Sequence, residues 1–288
     1  MRKLALSDEI LLKVDKAARY IGGEVNSVMK DKNEVEIRFA MCFPDVYEIG
    51  MSNLGMMILY NMFNQREDVW CERLFSPWPD LDKVMREQNI PLFALESQEP
   101  IRDFDFLGIT LGYEMCYTNI LQVLDLSGIP LKSADRGEDF PIVIGGGACA
   151  YNPEPLAPFF DLFYIGEGET VYDALFDAYK ANKKAGGSRR DFLLAAAKIP
   201  GIYVPSLYEV TYKEDGTIAS FAPTEAGVPE KVQKQLIIDM EKEYRAVEAP
   251  VVPHIKATQD RVTLEIQRGC IRGCRFCQAG MIYRPTRE

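Results

Sequence analysis

Histidine is almost missing from this chain. His254 is the only one in 288 residues, which removes the usual physiological-pH base and the commonest metal ligand from nearly every position. No apolar run approaches the ~20 residues that cross a membrane. Met1-Arg2-Lys3-Leu4 leads into a charged amphipathic stretch instead of a signal-peptide core. Neither G-x-G-x-x-G nor G-x-x-x-x-G-K-[ST] opens a helix after a first strand, which argues against dinucleotides and nucleoside triphosphates. A disulfide framework is lacking too. Seven cysteines is an odd number, and Cys42, Cys71, Cys116 and Cys149 are scattered through apolar surroundings. Those four read as small buried hydrophobes, and a reducing cytoplasm is the expected compartment.

What remains is an ordinary globular composition. A chain 47% hydrophobic and 26% charged, at this length, can bury one large or two modest cores. With 33 basic against 43 acidic residues the net charge is −10, so neither nucleic acid nor an anionic membrane is an expected partner. One segment departs from this balance: from Arg261 to Glu288 six arginines stand against two glutamates, beside three cysteines.

The chain divides by pattern into four stretches. Residues 1–32 form a leader in which Ser7 caps a helix over Ser7–Tyr20, with Ile10, Leu11, Val14, Ala17 and Ala18 on one face and Gly22-Gly23 ending it. Residues 33–186 alternate strands (Val35–Met41, Val69–Phe75, Phe106–Gly112, Ile142–Gly147, Leu162–Gly166) with helices (Ser52–Arg66, Leu81–Gln88, one through Leu121–Leu124, Glu169–Lys184). That alternation predicts an α/β domain, a doubly wound, Rossmann- or flavodoxin-like parallel sheet covered on both faces. Residues 187–260 read as a connector with a short helix at Asp191–Lys198 and a hairpin of Tyr208–Tyr212 with Thr217–Phe221. Residues 261–288 open with Val262-Thr263-Leu264-Glu265-Ile266-Gln267, whose period of two predicts a half-buried strand.

Directly after that run come Cys270, Cys274 and Cys277, spaced C-x₃-C-x₂-C. Three thiolates on one short loop suit a soft metal, and an iron–sulfur cluster best of all. Zinc would want a fourth ligand, and His254 lies sixteen residues upstream of Cys270 without finger-like spacing. Bacterial ferredoxin spacing is absent. Gly269 and Gly273 permit a tight wrap, and the arginines at 268, 272 and 275 are expected to offset the cluster's charge. Three unligated cysteines are the plain alternative.

A second site is expected beyond the carboxyl ends of the strands, where open α/β sheets take ligands. The loops there run from Phe43 to Gly55, from Thr110 to Tyr113, and through Gly145-Gly146-Gly147. Three successive glycines let a flat ligand approach the backbone. The alternative is that these are turn glycines with no ligand.

The cysteine motif, with aromatic Phe276 before its last member, resembles the signature of the radical S-adenosylmethionine (radical SAM) superfamily. That resemblance implies a 4Fe–4S cluster on Cys270, Cys274 and Cys277, its open iron facing S-adenosyl-L-methionine near Phe276. It also implies a reductant such as ferredoxin or flavodoxin, and a (β/α) barrel of which 261–288 supplies only the first strand and cluster loop. The α/β domain resembles the cobalamin-binding module. Asp45-Val46-Tyr47-Glu48-Ile49-Gly50 stands for its D-x-H-x-x-G, Thr110 for its Ser or Thr, and Gly145-Gly146, continued by Gly147, for its G-G. Tyr47 replaces the cobalt-ligating histidine. A phenol with pKa near ~10 is a poor substitute, so cobalamin is expected without a histidine ligand, Tyr47 at most covering the cobalt.

The order of these parts resembles the cobalamin-dependent radical SAM proteins. The Phe43–Gly55 and Ala18–Glu24 stretches look closest to a largely uncharacterised bacterial branch. The implied activity is radical methyl transfer, or else a rearrangement, on an unknown substrate. Eleven residues follow Cys277, so the expectation is a fragment or split protein, inactive alone and completed by a missing or separate barrel. The competing expectation is a non-catalytic corrinoid-binding or assembly module for such a barrel.

Overall fold

Strand residues that are apolar on both faces need covering on both faces, and the fold does this. The computed structural model describes residues 3–288; the first two positions of the leader lie outside the described residues. Six strands, β1 (Ile37–Phe43), β2 (Val69–Phe75), β3 (Phe106–Thr110), β4 (Ile142–Gly146), β5 (Leu162–Tyr164) and β6 (Ile202–Tyr203), form one sheet in the order β2-β1-β3-β4-β5-β6. The first five are parallel; β6, which the sequence reading did not foresee, runs antiparallel to β5. Two residues are too short for any periodic signal.

Helices lie on both faces. The leader holds α1 (Asp8–Leu11), and the loop after β1 holds a single turn, α2 (Tyr47–Gly50). Then follow α3 (Leu54–Gln65), α4 (Pro79–Gln88), α5 (Tyr117–Leu126), α6 (Tyr172–Ala185) and α7 (Arg189–Ala196). Ile37, Phe39 and Met41 of β1 pack with Met56, Tyr60 and Phe63 of α3, with Phe176 of α6 and with Phe192 of α7. Ala40 and Cys42, pointing the other way, pack with Leu81 and Met85 of α4, Ile120 and Val123 of α5, and the leader's Leu6, Ile10 and Val14. The doubly wound architecture is thus present, with the β1/β3 boundary as its switch point.

The leader departs from expectation. Ser7 does cap, its side chain accepting from Ile10 N at 3.4 Å, but the helix stops after one turn. Lys16 sits at φ 51, a left-handed conformation that a helix cannot pass through, and only a 3₁₀ turn at Ala17–Arg19 follows.

Beyond α7, β7 (Tyr208–Tyr212) and β8 (Ile218–Pro223) make the expected hairpin. Two short helices follow, α8 (Met240–Glu243) and α9 (Gln278–Tyr283). Between them the predicted strand at 262–267 does not form. Val262, Leu264 and Ile266 are 90%, 76% and 75% exposed, and no strand among the described residues pairs with the segment. Alternation supplies a face to bury but not the neighbour whose N–H and C=O groups a strand requires.

Candidate functional site

At the carboxyl end of the sheet lies a cavity of about 550 Å³, in the range of small-molecule sites. Its floor is Met41 of β1, Gly108 and Thr110 of β3, Ile144 and Gly146 of β4 and Tyr164 of β5. One wall is the start of α3 from Asn53 to Leu59. The Asn53 side chain caps that helix, accepting from Met56 N at 2.9 Å. The β3 and β4 loops brace each other: Leu111 N donates to Gly146 O at 2.6 Å, and Cys149 N to Leu111 O at 2.8 Å. Gly147 makes this possible, since its φ of 110 and the Leu111 carbonyl 3.0 Å from where a Cβ would stand exclude a side chain.

Of the residues expected at a cobalamin site, Thr110, Gly146 and Gly147 line this cavity. Gly145 is next in line but packs against Phe163 and Leu111. Asp45, Tyr47 and Gly50 are not on the cavity wall. Asp45 is spent locally, accepting from Val46 N at 2.7 Å. Tyr47 is fully buried, its hydroxyl donating to Glu24 at 2.9 Å and accepting from His254 N at 3.4 Å. Burial, with the Glu24 carboxylate beside it, pushes the Tyr47 phenol well above its usual range. Gly50 lies under the Phe75 ring. Tyr47 thus points into the packing between leader and connector, which close over the β1 loop and use its polar groups. Glu48 is likewise taken, by Arg19 at 2.8 Å and Lys16 at 2.9 Å.

The cysteine segment forms the cavity's outer wall through Glu265, Gln267, Arg268, Gly269 and Tyr283. Cys270 and Cys274 are exposed and Cys277 half-buried. Their loop has little internal structure, with Arg272 N donating to Cys270 Sγ at 3.4 Å and Cys277 N to Cys274 O at 3.2 Å. No group of three or more His, Cys, Asp or Glu side chains stands assembled as a metal site among the described residues. The donor set nonetheless fits a three-thiolate cluster: three soft ligands on one exposed loop with no fourth. Metal would have to gather them, as is usual where binding and folding are coupled. Phe276 is exposed beside them.

The arginines do not all serve as expected. Arg272 and Arg275 are exposed. Arg268 is nine-tenths buried and lies 2.5 Å from Glu169, 2.8 Å from Glu265 and 3.3 Å from Glu167, so its charge is already met. The sequence singles out the Ile165–Glu169 turn but assigns no separate role to Glu167, Glu169 or Arg287. The signal was present in Gly166-Glu167-Gly168-Glu169, two glutamates on glycine hinges at the end of β5. Among the remaining cysteines, Cys42, Cys71 and Cys149 are buried and Cys116 half-buried, its Sγ 3.9 Å from Asp45. His254 is structural, its Nε2 3.1 Å from the Gly22 carbonyl.

The site is thus a carboxyl-edge cavity of a doubly wound α/β sheet with a thiol-bearing loop across its mouth. The family model for radical SAM proteins, N-terminal, matches residues 55–205, more than half of the chain, and the chain belongs to that family. It is 26% identical over 249 residues to an uncharacterized protein of Methanocaldococcus jannaschii, covering 86% of this chain and 42% of that one. The chain thus spans about two-fifths of the length of that relative. A solved structure of the radical S-adenosylmethionine methyltransferase TsrM from Kitasatospora setae, with tryptophan substrate and a SAM analog bound, is similar at 15% identity with a TM-score of 0.34. That match covers 62% of this chain and 29% of TsrM, a likeness that supports no inference about the site. No helix among the described residues is long and apolar enough to cross a membrane.

Proposed function

We propose that this chain is the N-terminal portion of a radical SAM enzyme that holds a 4Fe–4S cluster through Cys270, Cys274 and Cys277 and a corrinoid in residues 33–186. Residues 187–260 connect that module to residues 261–288, the start of the barrel. The observation that carries the reading is the shared wall: the segment leading into the cysteines closes the cavity at the sheet's switch point. A ligand there and a cluster on the loop would be neighbours.

The cluster, when bound, supplies an iron with an open coordination position for S-adenosylmethionine and the electron for its reductive cleavage. The chain's own residues do the rest. Gly146 and Gly147 bring bare backbone to the cavity, Thr110 offers a hydroxyl, and Met41, Ile144 and Leu59 supply apolar surface. The only histidine is bound to the leader outside the cavity. A corrinoid would therefore receive no imidazole from these residues. The residues that would hold such a ligand line a cavity of about 550 Å³ whose outer wall is the segment leading into the cysteines.

Radical methyl transfer is the reaction we favour, needing a low-potential reductant. The test is anaerobic reconstitution of the full-length protein with iron, sulfide and hydroxocobalamin. Retained corrinoid absorption after desalting and reductive cleavage of S-adenosylmethionine are expected. Loss of both would sink the reading.

A further inference from the structure

The Gly-Glu-Gly-Glu turn at the end of β5 has no role in the chemistry above, yet it is the most heavily engaged carboxylate pair on the cavity rim. Arg268 and Arg287 bracket the cysteine loop. They exchange both backbone hydrogen bonds, each 2.9 Å, in an antiparallel bridge that closes the loop at its neck. Both guanidiniums then turn to the same place. Arg268 reaches Glu169 at 2.5 Å, and Arg287 Nη1 lies 2.8 Å from the Glu167 carboxylate. Arg287 also donates to Ile237 O at 2.8 Å, on the strand-like segment that Glu167 itself holds by accepting from Ile237 N at 2.8 Å.

The turn is fixed before it can fix anything else. Gly166, at φ 144, lies against the backbone of Gln235, where a Cβ would strike the Gln235 carbonyl. Gln235 N donates to Ile165 O at 3.1 Å, and Glu167 N to Gln235 O at 3.0 Å. Lys234 extends the grip, donating to Ile282 O at 2.9 Å and Arg284 O at 3.0 Å. Loop residues 269–286 have few hydrogen bonds of their own around the thiols, so their placement is inherited from the neck. Charge-assisted pairs with buried arms set direction as well as energy.

We infer that Glu167 and Glu169, through Arg287 and Arg268, are positioning residues for the cluster: a clasp that seats the cysteine loop over the cavity mouth. The inference rests on the cluster reading above. It assigns the Gly-Glu-Gly-Glu turn, which also lines the cavity, a role in seating the cysteine loop.

The experiment compares the full-length protein with its Arg287→Gln and Glu167→Gln variants, Arg287 lying off the cavity wall. Hydrogen exchange at the Arg268 and Arg287 amides reads the neck without any cluster. Iron loss to a ferrous chelator, and the change that S-adenosylmethionine makes in the reduced cluster's electron paramagnetic resonance spectrum, read the seating. Both variants should exchange faster and lose iron about tenfold faster, as loss of one charge-assisted contact implies. The spectral response should weaken while the circular dichroism of the sheet domain is kept. Should Glu167→Gln fail to fold, Arg287→Gln decides alone. Faster exchange with wild-type iron loss and spectrum would overturn the inference and leave a merely structural bridge. Unchanged exchange would overturn it too. If the wild-type protein takes up no cluster, the cluster reading falls and the inference with it.

Discussion

The Tyr47 hydroxyl donates to Glu24 at 2.9 Å, and Glu24 in turn receives Arg73 at 2.7 Å, all three fully buried. Arg73 also holds Glu96 at 2.6 Å. A leader residue, the β1 loop and the middle of β2 are thus tied by one network, and the β1 loop is turned inward instead of toward the sheet edge. Removing a partner from such a buried charged group is expensive, on the order of 3–5 kcal/mol where a charge is stranded.

The first prediction concerns Tyr47 itself. Tyr47→Phe removes a hydrogen bond to a carboxylate that keeps Arg73, so the expected cost is about 1–2 kcal/mol in a denaturant melt. Corrinoid retention should not change, because the ring lies off the cavity wall. A marked loss of retained corrinoid absorption would show that the loop opens toward the ligand.

The cavity floor offers a cleaner test. A Cβ on Gly146 would meet nothing nearer than the Tyr172 hydroxyl at 3.9 Å, whereas one on Gly147 would press on the Leu111 carbonyl in a left-handed backbone. Gly146→Leu should therefore fill the cavity, lowering corrinoid affinity at least about tenfold with a melting temperature near wild type. Gly147→Leu should unfold first, by a few kcal/mol. Equal affinity in Gly146→Leu and wild type, measured by titration, would remove the cavity as the corrinoid site.

The thiols should separate by group. Cys270→Ala, Cys274→Ala and Cys277→Ala should each abolish the visible charge-transfer absorption of the reconstituted cluster, because two thiolates cannot hold it. Cys116→Ser should leave it intact, and so should Cys149→Ser, at some cost in stability because Cys149 is buried. Retention of cluster in all three of the first set would point away from C-x₃-C-x₂-C as the ligand set.

Much of the framework was legible because burial leaves a periodic trace. β2 was found to the residue, and the helices covering it within a few positions, since continuous apolar runs and 3.6-residue stripes are local. Three features left no such trace. The leader's helix ends at Leu11 although its apolar face looks continuous, and Lys16 beyond it is left-handed. Residues 262–267 alternate as a strand does, but pairing depends on a neighbour. The ion pairs that place the site join residues far apart in the chain, Glu24 with Arg73 and Glu167 with Arg287. Of one motif read along the chain, Thr110, Gly146 and Gly147 therefore line the cavity while Tyr47 lies in the packing beneath the leader.

The leader's hold on the β1 loop gives a pH dependence. Arg19 grips Glu48 with two hydrogen bonds, 2.9 and 2.8 Å, and Lys16 adds a third at 2.9 Å. Burial raises the Glu48 pKa, but the hydrogen bonds from Arg19 and Lys16 outweigh it and bring the carboxyl from 4.5 down to about 2. The folded state therefore binds this proton more weakly than the unfolded chain. Its contribution is complete above about pH 4.5 and is lost as pH falls toward 2. At one pKa unit per 1.36 kcal/mol the upper bound is about 3 kcal/mol. Glu48→Gln should destabilise the protein at pH 6 and flatten the fall in stability between pH 5 and 3, measured by urea melts at each pH. Asp68, also held low by Arg66 and Lys180, sets a slope common to both proteins. The difference between the two curves is the readout, and parallel curves would show that the Arg19–Glu48 pair does not hold the leader down.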